Sequence, residues 1–340
     1  MTGSKTTSPI FIIGAQRSGT TLLRLILNSS SKVAIPEEGD FFMPLMRKYR
    51  SNIEIEIKGK KLLRFIDYIK NNSQFKLWNL DADSYFEDVK MSSRISLHDL
   101  MFGLYKHYAK SQKKEIWGDK TPSFFRMIPV ISELFPDAKF IHIVRDGRDL
   151  YLSWRNIDRT KSNISLVALE WKYKINKARK ALESIDSERT FEVKYEDLVT
   201  DPINILQKVC SFLSLEYETN MSDFWKTSKT FIGTHHSELI FQPLTSSSIN
   251  KWKNELSQNE LRKFEAIAGS MLESNGYVLS ENNPRNVFSH LNAIIQLSYG
   301  LPYRAVQVFL AALNYYTSAK LGFEIRSAEV GEQPPKATEN

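Results

Sequence analysis

Residues 9–21, PIFIIGAQRSGTT, decide the fold of this chain. An apolar run rich in β-branched residues stops at Gly14, which is typical of a buried parallel strand. Gly14 and Gly19 then have the Gly-x4-Gly spacing of a phosphate-binding loop, and the apolar periodicity of residues 20–28 predicts a helix behind it. The amides of such a loop and the dipole of the helix attract an anion. Taken alone, the loop also fits a turn that serves packing only.

The loop differs in one respect from the loop of nucleoside triphosphatases. There the second glycine is followed by a lysine that reaches the β- and γ-phosphates, and then by a Ser or Thr that binds Mg²⁺. Here Thr20 and Thr21 follow Gly19, and the positive charge stands earlier, at Arg17. The sequence therefore favours a ligand with a short anionic 5′ group over a magnesium-bound triphosphate.

Strands and helices alternate along the rest of the domain. Further strands are predicted near residues 33–35, 139–144 and 191–195, and helices at 124–135, 146–156, 165–184 and 202–213. Residues 40–112 have helical apolar stripes between irregular segments. This alternation predicts an α/β fold of the phosphate-loop type, in which helices flank a doubly wound parallel sheet.

The two ends of the chain differ from this domain. Residues 1–8 and 329–340 are polar and are predicted to be disordered tails. Uncharged stretches within 286–319 predict a C-terminal helical extension, a hairpin over 281–328. Packing of the hairpin on the domain or on a second subunit is the leading interpretation, which leaves a homodimer open. Peripheral membrane contact through 286–319 is the alternative.

Composition limits the classes of protein and partner. The net charge of +7, from 46 basic and 39 acidic residues, is too small to require nucleic acid, and no nucleic-acid partner is expected. The single cysteine, Cys210, excludes an intrachain disulfide. No signal-peptide pattern precedes the loop, so a cytoplasmic location is expected. The sequence shows no cluster of His and Cys residues with the spacing of metal ligands, so no metal is expected.

A second anion motif, VRDGRDLYLSW, occupies residues 144–154 after the strongest predicted strand. Arg145 ends that strand, and Ser153 lies two turns into the next helix, so both side chains can face one phosphate. The alternative is a surface Arg/Asp network at the start of a helix.

The two motifs together resemble those of sulfotransferases that use 3′-phosphoadenylyl sulfate (PAPS). The RSGTT form of the loop is similar to that of the tyrosylprotein, carbohydrate and bacterial branches. The resemblance implies a sulfotransferase domain over 9–280 that leaves adenosine 3′,5′-bisphosphate (PAP) as product. It implies that the 5′ phosphosulfate is bound by Arg17, Ser18, Gly19, Thr20 and Thr21, and the 3′ phosphate by Arg145 and Ser153.

Further donor contacts follow from the resemblance. Tyr195, in the segment YEDL, is similar to a tyrosine that contacts the nucleotide, although a strand end before a capped helix explains the segment equally. Lys251 and Trp252 resemble a late Lys-Trp pair that closes over the donor, with residues 246–248 as a flexible lid; otherwise Trp252 would be a core residue. Ser237, or His236 beside it, is a further candidate for a donor contact, and Arg148 is similar to a further basic residue seen in some branches.

Three residues are candidates for catalysis. Glu38 stands where the tyrosylprotein branch has its catalytic glutamate, so it is the predicted general base. Lys120, in the segment WGDKTP, and Arg17 are the predicted cations that stabilise the sulfuryl group in transfer. The alternatives are a solvated pair of carboxylates at Glu37 and Glu38 and a surface lysine at 120.

The predicted reaction moves a sulfuryl group from PAPS to a hydroxyl of a carbohydrate, a peptide tyrosine, a lipid or a small metabolite. One alternative is a nucleotide kinase, against which the missing loop lysine and the lack of an evident apolar strand ending in a metal-binding Asp both count. The other is a non-catalytic nucleotide-binding scaffold.

Overall fold

A computed structural model describes residues 8–50, 52–155, 157, 162–227 and 238–280, together with 295, 297–298, 300–302 and 305–306. His236, Ser237, nearly all of the predicted hairpin and, apart from Ser8, the two predicted tails lie outside these residues. Within them, no helix is both long and apolar enough to cross a lipid bilayer.

The centre of the domain is a parallel sheet of five strands in the order β2-β5-β1-β6-β7. Its strands are β2 (Val33–Ala34), β5 (Ile116–Asp119), β1 (Ile10–Gly14), β6 (Lys139–Val144) and β7 (Thr190–Lys194). Phe11 pairs with Phe140 on one side of β1 and with Asp119 on the other. The predicted doubly wound fold is therefore confirmed, and β5 is a strand that the sequence pattern did not predict.

Helices cover both faces of the sheet, because β1 is apolar on both sides. Phe11 and Ile13 join one buried cluster, and Ile10 and Ile12 join the cluster on the opposite face. Each fully buried side chain of this kind stabilises the fold by about 1.5–3 kcal/mol. Cys210 is buried in the second cluster, as expected for a structural thiol.

The helices, in chain order, are α1 (Thr20–Asn28), α2 (Met43–Tyr49), α3 (Lys60–Asn71), α4 (Ser73–Lys76), α5 (Asp83–Ser92), α6 (Leu97–Ser111), α7 (Ile128–Leu134), α8 (Gly147–Arg155), α9 (Ile164–Leu182), α10 (Tyr195–Thr200), α11 (Pro202–Leu213), α12 (Trp252–Glu255) and α13 (Gln258–Ser274). Between α2 and α6 the chain also forms an antiparallel pair, β3 (Glu56–Lys58) with β4 (Arg94–Ser96), which was not predicted.

The topology fixes where a ligand can bind. β1 is central, the chain runs from it to β2 and β5 on one side, and it then crosses to β6 and β7 on the other. A reversal of this kind opens a crevice at the carboxyl ends of the strands. The anion loop after β1 lies at that reversal, and the loops after the other four strands leave from the same edge of the sheet.

Candidate active site

The anion loop is shaped by close backbone approach. Gly19 adopts φ +93°, and a Cβ atom there would lie 2.5 Å from the ring of Tyr195, so the position requires glycine. Arg17 also has a positive φ of 71°. Its Nε donates to the hydroxyl of Ser153 over 2.9 Å, which joins the two predicted anion motifs directly. Burial lowers the pKa of Arg17, and the positive charge of Arg145 lowers it further.

A cavity of about 370 Å³ opens between the two motifs. Eight of the predicted donor-binding and catalytic residues line it, namely Arg17, Gly19, Thr20, Thr21, Arg145, Ser153, Tyr195 and Lys251. An apolar wall completes the cavity, formed by residues that include Leu22, Leu152, Val199, Ile240 and Leu244. The cavity thus combines three cations with an apolar surface suited to a nucleotide base.

Arg145 is held by backbone groups. Its two terminal nitrogens donate to the carbonyl oxygens of Arg17 and Ser248 over 2.9 and 2.7 Å, and its guanidinium lies 4.4 Å from the ring centre of Tyr195. Its Nε is buried and has no hydrogen-bond partner among the described residues. A buried donor without a partner is costly, so the arrangement favours an anionic ligand at this point.

Other residues of these segments lie outside the cavity lining. Ser18 is buried beneath the loop and does not border the cavity. Trp252 is also buried, with its ring 3.5 Å from the guanidinium of Arg148, which corresponds to the alternative of a core residue. Arg148 forms ion pairs with Asp146 and Glu265, both at 2.8 Å. Residues 246–248, predicted as a flexible lid, form one turn of 3₁₀ helix.

Glu38 and Lys120 form an ion pair at the other end of the same edge, after β2 and β5. Lys120 Nζ donates to Glu38 Oε1 over 2.6 Å; the lysine is buried and the carboxylate is one-third exposed. Glu37 points elsewhere, because Arg24 binds its carboxylate and the carbonyl of Pro36, each at 2.7 Å. The neighbouring glutamates are therefore not an equivalent solvated pair. Neither Glu38 nor Lys120 borders the 370 Å³ cavity.

A buried network below this pair was missed by the sequence analysis. Asp119 Oδ2 accepts hydrogen bonds from the hydroxyls of Tyr105 (2.6 Å) and Thr121 (2.9 Å). The Thr121 hydroxyl in turn accepts from the amide of Gly39 over 2.7 Å, next to Glu38. Burial raises the pKa of Asp119 to about 7, against the lowering effect of these hydrogen bonds. The segment WGDKTP signalled Lys120 but gave no sign of its distant partner Tyr105.

Asp119 bears on one argument against a nucleotide kinase, the lack of an apolar strand that ends in a metal-binding Asp. β5 does end in an Asp at this residue. Its carboxylate is fully buried and is hydrogen-bonded by Tyr105 and Thr121. Among the residues that the structure describes, no group of three or more His, Cys, Asp or Glu side chains could hold a metal ion.

A phosphate-loop fold with two anion motifs at one cavity is typical of transferases that use a phosphorylated donor. Comparison with known proteins identifies the family. The model of the sulfotransferase family matches residues 9–219, well over half of the chain. The chain therefore belongs to the sulfotransferase family of transferases. The predicted family is confirmed, and the match does not favour a nucleotide kinase.

Relatives are similar over most of the described domain. Protein-tyrosine sulfotransferase A of Caenorhabditis elegans is 23% identical over 294 residues, covering 83% of this chain and 70% of that protein. The omega-hydroxy-beta-dihydromenaquinone-9 sulfotransferase of Mycobacterium bovis is 23% identical over 291 residues, covering 68% of this chain and 74% of that protein. The sulfotransferase domain from the curacin biosynthetic pathway has the same fold, with a TM-score of 0.56 and 21% identity over 80% of this chain and 99% of that domain.

Some relatives are much longer than the region matched. An uncharacterised protein of Aquifex aeolicus is 24% identical over 258 residues, which make up 74% of this chain and 31% of that protein. The chain thus spans about a third of the length of this relative.

Proposed function

We propose that this chain transfers a sulfuryl group from PAPS to a hydroxyl group of an acceptor and releases PAP. The observation that carries the proposal is the single cavity that joins the anion loop to Arg145, Ser153 and Lys251. PAPS has anionic groups at both its 5′ and 3′ positions, and this cavity has cations at both ends.

The residues present fit such a donor. Arg17 and the amides of residues 19–21 would hold the 5′ phosphosulfate at the start of α1, where the helix dipole favours an anion. The amide of Ser18 donates to the carbonyl of Ala15 instead. Arg145 has a buried Nε with no partner in the described chain, and with Ser153 and Lys251 it would hold the 3′ phosphate. Tyr195 lies between the two ends and packs against both Gly19 and Arg145.

The Glu38–Lys120 pair supports a division of labour in the transfer step. Glu38 would accept the proton of the attacking hydroxyl, since its carboxylate remains partly exposed. Lys120 and Arg17 would neutralise negative charge on the sulfuryl oxygens and on the departing phosphate. β5 and β1 are adjacent strands, so the loops that carry Lys120 and Arg17 are neighbours. In this proposal the residues of this chain take all of these roles.

The acceptor is proposed to approach from the side of β2 and β5. Two relatives are named for a protein tyrosine and for a hydroxylated menaquinone, which supports a hydroxyl acceptor in general. Acceptor specificity is proposed to depend on residues 42–115 and on the predicted hairpin at 281–328. A cytoplasmic location, a homodimer and membrane contact through 286–319 stay predictions.

The test is a comparison of ligands by thermal denaturation. PAP at about 100 times its Kd should stabilise the protein by about 2.7 kcal/mol, a shift of several degrees in Tm. Arg145→Ala should lose this shift. Stabilisation by ATP with Mg²⁺ alone, unchanged in Arg145→Ala, would contradict the proposal. Transfer of label from PAPS to a panel of hydroxyl acceptors then separates an enzyme from a scaffold that only binds PAP.

A further inference from the structure

Asp149 is a buried carboxylate in the wall of the cavity that Arg17, Arg145 and Lys251 also line, and Glu255 is the other acidic residue of that lining. Burial raises the pKa of Asp149 to about 6, and the negative charge of Asp146 also raises it, whereas the positive charge of Arg145 lowers it. A negative charge at this point opposes the binding of an anionic donor.

The carboxylate has a different set of partners. Asp149 Oδ2 accepts from the backbone amide of Asn250 over 2.7 Å, and Oδ1 accepts from the amide of Trp252 over 2.9 Å. These two amides flank Lys251, whose side chain borders the donor cavity. One carboxylate therefore fixes the backbone on both sides of a cavity lysine that is separated from it by about a hundred residues of sequence.

Two further contacts hold residues 248–252, and both come from residues at the start of α8 or just before it. Arg145 donates to the carbonyl of Ser248 over 2.7 Å, and Arg148 lies under the ring of Trp252. Arg148 is itself fixed by ion pairs to Asp146 and Glu265. Residues 145–149 thus contact residues 248–252 at three positions: Ser248, Asn250 and Trp252.

We propose that Asp149 is a positioning residue that holds residues 248–252 against the donor cavity and thereby places Lys251 on the donor. This inference rests on the proposed function, because it assigns PAP and PAPS as the ligands that Lys251 meets. Asp149 acts through the backbone of residues 250–252 and makes no favourable contact with the donor itself.

A positioning role and a purely electrostatic role of Asp149 predict opposite effects of Asp149→Asn on the binding of PAP. If Asp149 only contributed charge, Asp149→Asn would remove a repulsion and strengthen the binding of PAP. If Asp149 positions Lys251, the same change weakens binding, because an amide cannot accept two hydrogen bonds through both of its terminal atoms.

The binding test uses isothermal titration of the full chain with PAP. Asp149→Asn is expected to raise the Kd for PAP by about tenfold, equivalent to about 1.4 kcal/mol. Asp137→Asn is the matched control, since it makes the same chemical change at an exposed site before β6, and it should leave Kd unchanged. An equal or lower Kd in Asp149→Asn overturns the proposal. Failure of the wild type to bind PAP would instead overturn the proposed function.

Hydrogen exchange distinguishes a loss of positioning from a general loss of structure. Without ligand, hydrogen exchange at the amides of Asn250 and Trp252 should accelerate in Asp149→Asn while the amides of β1 and β6 keep their protection. Unchanged protection at 250 and 252 overturns the proposal even if PAP does not bind. Should Asp149→Asn fail to fold, Asp149→Glu, which keeps the charge and displaces it, is read in the same way.

A double-mutant cycle tests the coupling to Lys251. Lys251→Ala should weaken PAP binding strongly in the wild type and by less in Asp149→Asn, because the lysine is already misplaced there. Equal effects in the two backgrounds would show that Asp149 does not act through Lys251.

Discussion

The two ends of the sheet edge handle charge in different ways. At the end proposed to bind the donor (the donor end), after β1 and β6, Arg145 donates to backbone carbonyls and Arg17 donates to the hydroxyl of Ser153. At the end proposed for catalysis (the catalytic end), after β2 and β5, Lys120 binds the carboxylate of Glu38. Neutral partners orient a cation without cancelling its charge, whereas an ionised partner largely neutralises it. The first arrangement suits a polyanionic ligand. In the second, the proton that Glu38 is proposed to accept would leave the charge of Lys120 available to the sulfuryl oxygens.

The largest expected effect separates catalysis from binding at these two ends. Glu38→Gln keeps the size of the side chain but removes the proton acceptor, so transfer should slow by about a thousandfold while the Kd for PAP changes by less than about threefold. Single-turnover transfer with an acceptor found active in the panel measures the first quantity, and titration with PAP the second. Glu37→Gln is the control: it breaks the pair with Arg24 and should lower Tm with little effect on the rate per folded molecule. Equal losses of rate in both variants would remove the assignment of Glu38.

The next effect belongs to the donor end. Arg145→Ala should raise the Kd for PAP by about a hundredfold, since a desolvated charged donor to the ligand is lost. Arg126→Ala, which removes an exposed arginine, should leave the Kd unchanged. A Kd for Arg145→Ala within about threefold of the wild type would mean that the anion binds elsewhere.

Sequence reasoning succeeded where local pattern and structure coincide. β1 with its loop and α1, and β6 with α8, are strong apolar runs followed by helical periodicity, and both were predicted close to their observed bounds. β5 was missed because its four residues include Gly118 and Asp119, and its pairing with β1 depends on contacts about a hundred residues apart.

The site was predictable in its parts and less so in its connections. Eight of the residues that spacing and resemblance predicted line one cavity, but the bond from Arg17 to Ser153 joins residues 136 positions apart in the sequence. Glu37 and Glu38 are neighbours with the same side chain, and only the fold separates them by giving Arg24 to one and Lys120 to the other. Trp252 has the same ambiguity, since the sequence cannot show that Arg148 lies beneath its ring.

Buried Asp119, beneath the Glu38–Lys120 pair, should make the stability of the protein depend on pH. The pKa of Asp119 is raised to about 7, above the value of about 3.9 in an unfolded chain, so the folded protein binds the proton more tightly. This contribution is complete below about pH 4 and is lost as the pH rises through about 7. Asp119→Asn should therefore reduce the loss of unfolding free energy between pH 5 and pH 8 by about 2 kcal/mol, measured by urea denaturation. Asp137→Asn should keep the slope of the wild type; an unchanged slope in Asp119→Asn would contradict the raised pKa.

Gly19 packs closely against the ring of Tyr195 in the loop after β1, and substitutions at two glycines test how much this close packing matters. Gly19 and Gly59 both have positive φ, of +93° and +58°, but a Cβ at 19 meets Tyr195 at 2.5 Å while a Cβ at 59 meets nothing within 4 Å. Gly59→Ala should lower the free energy of unfolding by about 1–3 kcal/mol from backbone strain alone, because φ +58° with ψ −139° is a conformation that essentially only glycine adopts, and Gly19→Ala by about 2–3 kcal/mol from strain and overlap together. Because the ring of Tyr195 also lies against Arg145, its displacement in Gly19→Ala should weaken PAP binding, whereas Gly59→Ala should not. Unchanged PAP binding in Gly19→Ala would show that the loop yields without moving Tyr195, and the close approach of Gly19 to that ring would then not shape the donor site.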